Sequence, residues 1–182
     1  MFDQALPYKL VQIKGNKSKN ESFMNEFIYK FYRHNYRCCI KYIVSIKSYE
    51  DGFLTLDYYP KINLTPKPNS AESLQDLRYR ILTKQHSFGI IGGTILDIMQ
   101  EVQTLTGAKI WGFLAANLVS ETTNVNNKRY NVYKEVLRRT YRTKHSVFGN
   151  KNYSAIFVIP LDLTSQAELI VKRYEEIFSE TY

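Results

Sequence analysis

Gln85-His86-Ser87-Phe88-Gly89-Ile90-Ile91-Gly92-Gly93, running on as TILDIMQEVQTLTG to Gly107 and then KIWGFLAA from Lys109 to Ala116, is the stretch that decides how this chain folds. Ile91, Ile95, Ile98, Met99, Val102 and Leu105 recur at helical spacing and define one apolar stripe, with Gly107 placed to stop the helix. KIWGFLAA is nearly unbroken in its apolar character, as expected of a strand covered on both faces. The glycines ahead of the stripe predict a loop with little side-chain bulk, so the unit reads glycine loop, helix, strand.

Working outward, Tyr8–Ile13 predicts a short strand ending at Gly15. Ser18 and Glu21 have capping-box spacing, and Phe23, Phe27 and Phe31 repeat every four residues with Ile28 beside them. That pattern predicts a helix ending near His34. From Cys38 to Lys47 polar and apolar residues alternate, and Phe53–Tyr59 forms a second β run joined to the first through Asp51-Gly52, good hairpin-turn chemistry. Pro60, Pro66 and Pro68 mark a proline-rich insertion over about 60–77, followed by a strand at Arg78–Thr83. After the apolar run comes a helix with Tyr130, Tyr133, Leu137 and Tyr141 on one side. A hairpin through Gly149–Asn152 follows, and Ser165 and Glu168 open a last helix carrying Ile170, Tyr174, Ile177 and Phe178 inward. The fold class expected is α/β, a mixed twisted sheet with helices on both faces, in a single domain over 1–182.

Composition narrows the function. The 182 residues hold 25 Lys and Arg against 17 Asp and Glu, a net charge of +8, which favours polyanionic company: a phosphorylated cofactor or nucleic acid. Cys38 and Cys39 are adjacent and alone, so neither a disulfide framework nor a cysteine zinc site is expected. His34, His86 and His145 are far apart and lack suitably spaced carboxylates, so no metal site is expected. No apolar run reaches eighteen residues and MFDQALPYKL lacks the pattern of a signal peptide, so a cytoplasmic protein with no membrane segment is expected.

Two features carry chemistry. Amides of a helix's first turn lack internal partners and share the positive end of its dipole, so a glycine-lined start suits a pyrophosphate. The same glycines equally serve a tight turn and close packing. The loop is neither a Walker motif nor a G-x-G-x-x-G fingerprint. The second feature is NVNNKRYNVYKEVLRRTYRTK: eight Lys or Arg lie from Lys128 to Lys151, with Glu135 the sole acid. Tyr130 and Tyr133 sit within one helical turn there, and a tyrosine is a competent general acid when a leaving group is in reach.

Taken together, the element order, the glycines before the main helix and Asn131-Val132-Tyr133-Lys134 resemble the GNAT N-acetyltransferase superfamily, across most of the chain and at the level of architecture. The family's R/Q-x-x-G-x-G/A loop after its fourth strand corresponds to Gln85–Gly93, with Ile91 where the pattern has Gly or Ala. The resemblance implies a CoA-dependent N-acyltransferase moving an acetyl group from acetyl-CoA to an amine. It implies cofactor contacts at Ile81, Leu82, Thr83, Gly89, Ile90, Ile91, Gly92, Gly93 and Thr94, with amides near Ile81–Thr83 polarising the thioester carbonyl. Tyr133 would protonate the departing thiolate. Asp57, Glu121 and His86 are the available bases, unranked. The fourth and fifth strands are expected to splay and leave a cleft over Gly89–Gly93. The substrate is an amine, suited by the basic helix to an anionic or RNA-linked carrier. The alternative is a non-enzymatic nucleic-acid-binding or interaction protein, with cations on phosphates and Tyr130, Tyr133 or Tyr141 stacked on bases.

Overall fold

The structure is a computed structural model, and it describes residues 4–16, 22–34, 39–61, 88–116, 118, 121, 123 and 125–181. Among these, seven strands form one mixed sheet: β1 (Tyr8–Gly15), β2 (Asn25–His34), β3 (Cys39–Ser48), β4 (Phe53–Lys61), β5 (Ile110–Leu114), β6 (His145–Asn150) and β7 (Ala155–Pro160), in spatial order β1-β2-β3-β4-β5-β7-β6. Three α-helices accompany them: α1 (Phe88–Thr106), α2 (Lys128–Tyr141) and α3 (Ala167–Thr181), the last entered through a 3-10 turn at Leu161–Gln166. Every neighbouring pair of strands is antiparallel except β4 with β5, which are parallel.

Residues 25–34 are a strand, which corrects the helix expected over Phe23 to His34. A spacing of four is also a multiple of two, so Phe27 and Phe31 share a sheet face as readily as a helix face. Tyr29, fully buried between them, completes the period of two. All ten residues pair with β3, from Asn25↔Ser48 to His34↔Cys39. Ser18 and Glu21 lie outside the described residues. The Asp51-Gly52 turn is present, with Gly52 at φ +76, the left-handed conformation that glycine adopts without a Cβ clash. Pro60 belongs to β4 rather than to the break after it, opposite Tyr42. The insertion beyond Lys61 and the strand at Arg78–Thr83 lie outside the described residues.

Helix α1 begins at Phe88, so Gly89, Gly92 and Gly93 are helical and do not form a loop before it. Each glycine costs a helix about 1 kcal/mol relative to alanine. Burial of Ile95, Ile98, Met99 and Val102 against the sheet outweighs that cost, while Leu105 at the end of the stripe stays exposed. Gly107, at φ +73, ends the helix with its N–H donating to Gln103 O at 2.8 Å.

Alternate residues of the central strands enter two cores. Leu54 and Leu56, Trp111 and Phe113, Ile156 and Val158 join Tyr29, Phe31, Val44 and Ile46 under α1 and α2. Phe53, Ile110, Ala155, Phe157 and Ile159 join Ile170, Tyr174 and Ile177 of α3. At Gly112 of β5 a Cβ would stand 2.9 Å from Ile156 O and 3.3 Å from the Tyr174 ring. The missing side chain thus lets Tyr174 cross β5, where its hydroxyl donates to Leu54 O at 2.9 Å.

Candidate active site

The parallel pair β4–β5 is short. Phe53↔Ile110, Leu54↔Trp111 and Thr55↔Gly112 are in register, and there the pairing stops. Strand β4 continues to Lys61 on β3, while β5 continues to Leu114 on β7. The two strands therefore part beyond Thr55 and Gly112, leaving one edge of β4 without a neighbouring strand among the described residues. Phe53–Lys61 parts from β5; the Arg78–Thr83 strand, expected from the sequence to splay from the apolar strand, lies outside the described residues.

Over this parting lies a narrow, open apolar cleft. Leu56 and Tyr58 of β4 and Trp111 and Phe113 of β5 form its floor. Gly92, Ile95 and Leu96 of α1 wall one side, Tyr133, Val136 and Leu137 of α2 the other. At Gly92 the wall is bare backbone, and Gly89, Ile90, Ile91 and Gly92 remain half-exposed at the helix start.

Tyr133 enters the cleft from α2, whose first turn is set by Asn127. The Asn127 side chain accepts from Tyr130 N at 2.8 Å and donates to Ala115 O, while its own N–H donates to Ser154 Oγ at 3.1 Å. One buried residue thereby joins the end of β5, the start of α2 and the β6–β7 turn. The Tyr133 ring lies 5.9 Å from that of Phe113, and its hydroxyl is 2.6 Å from the Tyr58 hydroxyl. Loss of solvent, with Tyr133 adjacent, holds the Tyr58 phenol well above its ordinary pKa, so it stays protonated.

Asp57 precedes Tyr58 and so projects from the opposite face of β4. It lines a smaller recess with Lys47, Thr55, Leu114, Ile177 and Phe178. Acid and base candidates thus flank the parting of β4 and β5 from its two sides. Glu121 is used otherwise: its carboxylate accepts from Leu118 N at 2.6 Å and Lys128 N at 2.9 Å. Burial opposes its ionisation, but these two N–H groups and the Lys128 and Arg129 charges hold its pKa below the ordinary value. It fastens the approach to α2.

Thr94 is fully buried; its hydroxyl accepts from Leu6 N at 2.9 Å and donates to Ile90 O at 2.7 Å, so it anchors the N-terminal segment on α1. Gly93 is buried beside it. Ile81, Leu82, Thr83 and His86 lie outside the described residues. Tyr130 is a core residue: it is fully buried and accepts from Lys134 Nζ at 2.9 Å. Tyr58, which no motif singled out, is the residue that reasoning from the sequence missed; its partner stands 75 positions away.

Among the described residues no cluster of His, Cys, Asp and Glu forms that could hold a metal ion, and no helix is long and apolar enough to cross a membrane. Comparison with known protein families, curated proteins and solved structures finds no match.

Proposed function

We propose that this protein is a CoA-dependent N-acyltransferase of the GNAT type, its sheet held between helices on both faces, moving an acetyl group from acetyl-CoA to an amine in the cytoplasm. The observation that carries the reading is the parting of β4 and β5 after Thr55↔Gly112, with an apolar cleft over it that reaches Tyr133. A pantetheine arm is slender enough to lie along the apolar cleft between α1 and α2. The first-turn amides at the half-exposed residues Gly89, Ile90 and Ile91 are the group that would meet the diphosphate. The polarising role stays with the amides of Ile81–Thr83, as assigned from the sequence; that segment lies outside the described residues.

The chemistry balances with the residues present. The neutral amine adds to the thioester carbonyl and forms the C–N bond, and the tetrahedral intermediate expels the CoA thiolate. Asp57, on the far side of the parting, accepts the proton lost by the amine. Tyr133 gives its proton to sulfur. In this reading Tyr58 donates to the Tyr133 oxygen and Tyr133 serves as the acid, either direction being open to the bond between them. The products are an N-acetylated amine and CoA.

The test is acetyl-CoA consumption, followed by thiol release with a panel of polyamine and aminoacyl acceptors, on the wild type and on Tyr133→Phe. The reading expects turnover in the wild type, and loss of turnover with retained acetyl-CoA binding in the variant. Equal rates in the two proteins would overturn the role of Tyr133.

A further inference from the structure

The face of β1–β4 turned away from α1 holds a second feature. Among the described helices, the core under α1 draws on the other face, and α3 meets the sheet at β5, β7, the β3–β4 turn and the recess at Lys47 and Asp57, short of the far ends of β2, β3 and β4. Its residues follow from the register. Lys9, Lys30, Ile43 and Tyr59 form one row across the four strands. Two residues along, Tyr32, Lys41 and Lys61 form the next. These rows contain four lysines, two tyrosines and no carboxylate. The acids of this face, Glu26 and Asp57, stand further along the strands, and Glu26 is met by Lys14 at 3.8 Å and Ser45 Oγ at 2.6 Å.

Within the two rows, lysine twice stands directly opposite lysine, as Lys9↔Lys30 and Lys41↔Lys61. Like charges facing each other across strands destabilise a sheet, because their Cβ atoms are only about 5 Å apart. A polyanion lying over the rows removes that repulsion. Lys9 and Lys61 are exposed, Lys30 and Lys41 half-exposed, and the Tyr32 ring is 40% exposed, tilted beside His34 at 6.4 Å. The patch measures about 14 Å across the strands. A flat sheet that offers ammonium groups with an accessible aromatic ring matches single-stranded nucleic acid, whose phosphates take the cations while an unpaired base stacks on the ring.

We infer that the lysine and tyrosine face of β1–β4 binds single-stranded nucleic acid. The surface is separate from the cleft and from the basic helix α2, and it stands whether or not the protein transfers acyl groups.

The test is fluorescence anisotropy with labelled oligo(U), oligo(dT) and a duplex of equal length, over a series of salt concentrations. The proteins are the wild type, Lys30→Gln/Lys41→Gln, Tyr32→Ala and Arg138→Gln/Arg139→Gln. Either single strand is expected to bind more tightly than the duplex. The double lysine variant is expected to lower the salt slope by about 1.4, the contribution of two phosphate contacts on a single strand. Tyr32→Ala is expected to weaken binding roughly 5- to 150-fold. The arginine variant is expected to behave as wild type. Binding to neither single strand, duplex binding as tight as single-strand binding, or loss confined to the arginine variant would each overturn the inference. Acetyl-CoA binding, measured on the same sheet variants, is expected to match the wild type, so failure here is distinguishable from failure of the acyltransferase reading.

Discussion

The hydroxyls of Tyr58 and Tyr133 meet at 2.6 Å, joining β4 to α2 across the mouth of the cleft where β4 leaves β5. Only one proton can occupy that bond, and burial keeps Tyr58 protonated. Either hydroxyl can donate in this bond; with Tyr58 as the donor, Tyr133 is the proposed acid. Tyr133→Phe is expected to lower kcat by about 100-fold or more, the usual contribution of a general acid, while KM for acetyl-CoA holds. Tyr58→Phe retains the Tyr133 proton and is expected to cost less, about tenfold. Steady-state kinetics on both variants checks the order; a Tyr58→Phe loss exceeding that of Tyr133→Phe would reverse the assignment.

Gly149 of β6 faces Tyr130 so closely that a Cβ there would overlap the phenol oxygen and stand 3.0 Å from Lys134 Nζ. Gly149→Ala is therefore expected to destabilise the fold by about 1–3 kcal/mol through overpacking. For a chain of this size each kcal/mol lowers Tm by roughly 2–4 °C, so a thermal melt reads it directly.

Asn127→Ala removes the cap of α2 and leaves the Ala115 carbonyl without its buried donor. Together these are expected to cost about 2–4 kcal/mol. Urea denaturation is the measurement. Turnover per folded molecule is expected to fall as well, because the same cap orients the helix that carries Tyr133.

Stability should decline at high pH. Tyr8 is pushed up to about 12 by burial and by its hydrogen bond to Glu101, and Tyr141 is also raised to about 12, chiefly by burial. A phenol raised in the fold contributes stability that is fully present below its unfolded pKa near 10 and is lost as pH climbs through the folded value. Denaturation midpoints are expected to hold from pH 8 to about 10 and to fall towards 12, with a shallower fall in Tyr8→Phe.

Much of the architecture was written locally. The KIWGFLAA run is β5, covered by one core at Trp111 and Phe113 and by the other at Ile110 and Leu114. The stripe from Ile95 to Val102 is the buried face of α1, and Tyr130 and Leu137 are the buried side of α2. Two segments misled for physical reasons. Aromatics four apart satisfy both helix and strand geometry, and what decided for β2 was ten residues of pairing with β3, a non-local interaction. Glycines disfavour a helix on their own, yet α1 includes them because packing farther along the helix sets its length. The site was less legible. Tyr133 has a recognisable neighbourhood, but the pairing of Tyr58 with it, the end of β4–β5 pairing at Thr55, and the use of Thr94 and Glu121 as fasteners all depend on which distant segments meet.

Direct binding of acetyl-CoA is the most immediate test of the central claim that the parting of β4 and β5 receives an acyl-CoA. Isothermal titration of the wild type and of Leu56→Trp, which fills the cleft floor, should show one molecule bound per chain in the first and none in the second, with the variant still folded by circular dichroism. No heat of binding in the wild type, or equal binding in the filled variant, would contradict it.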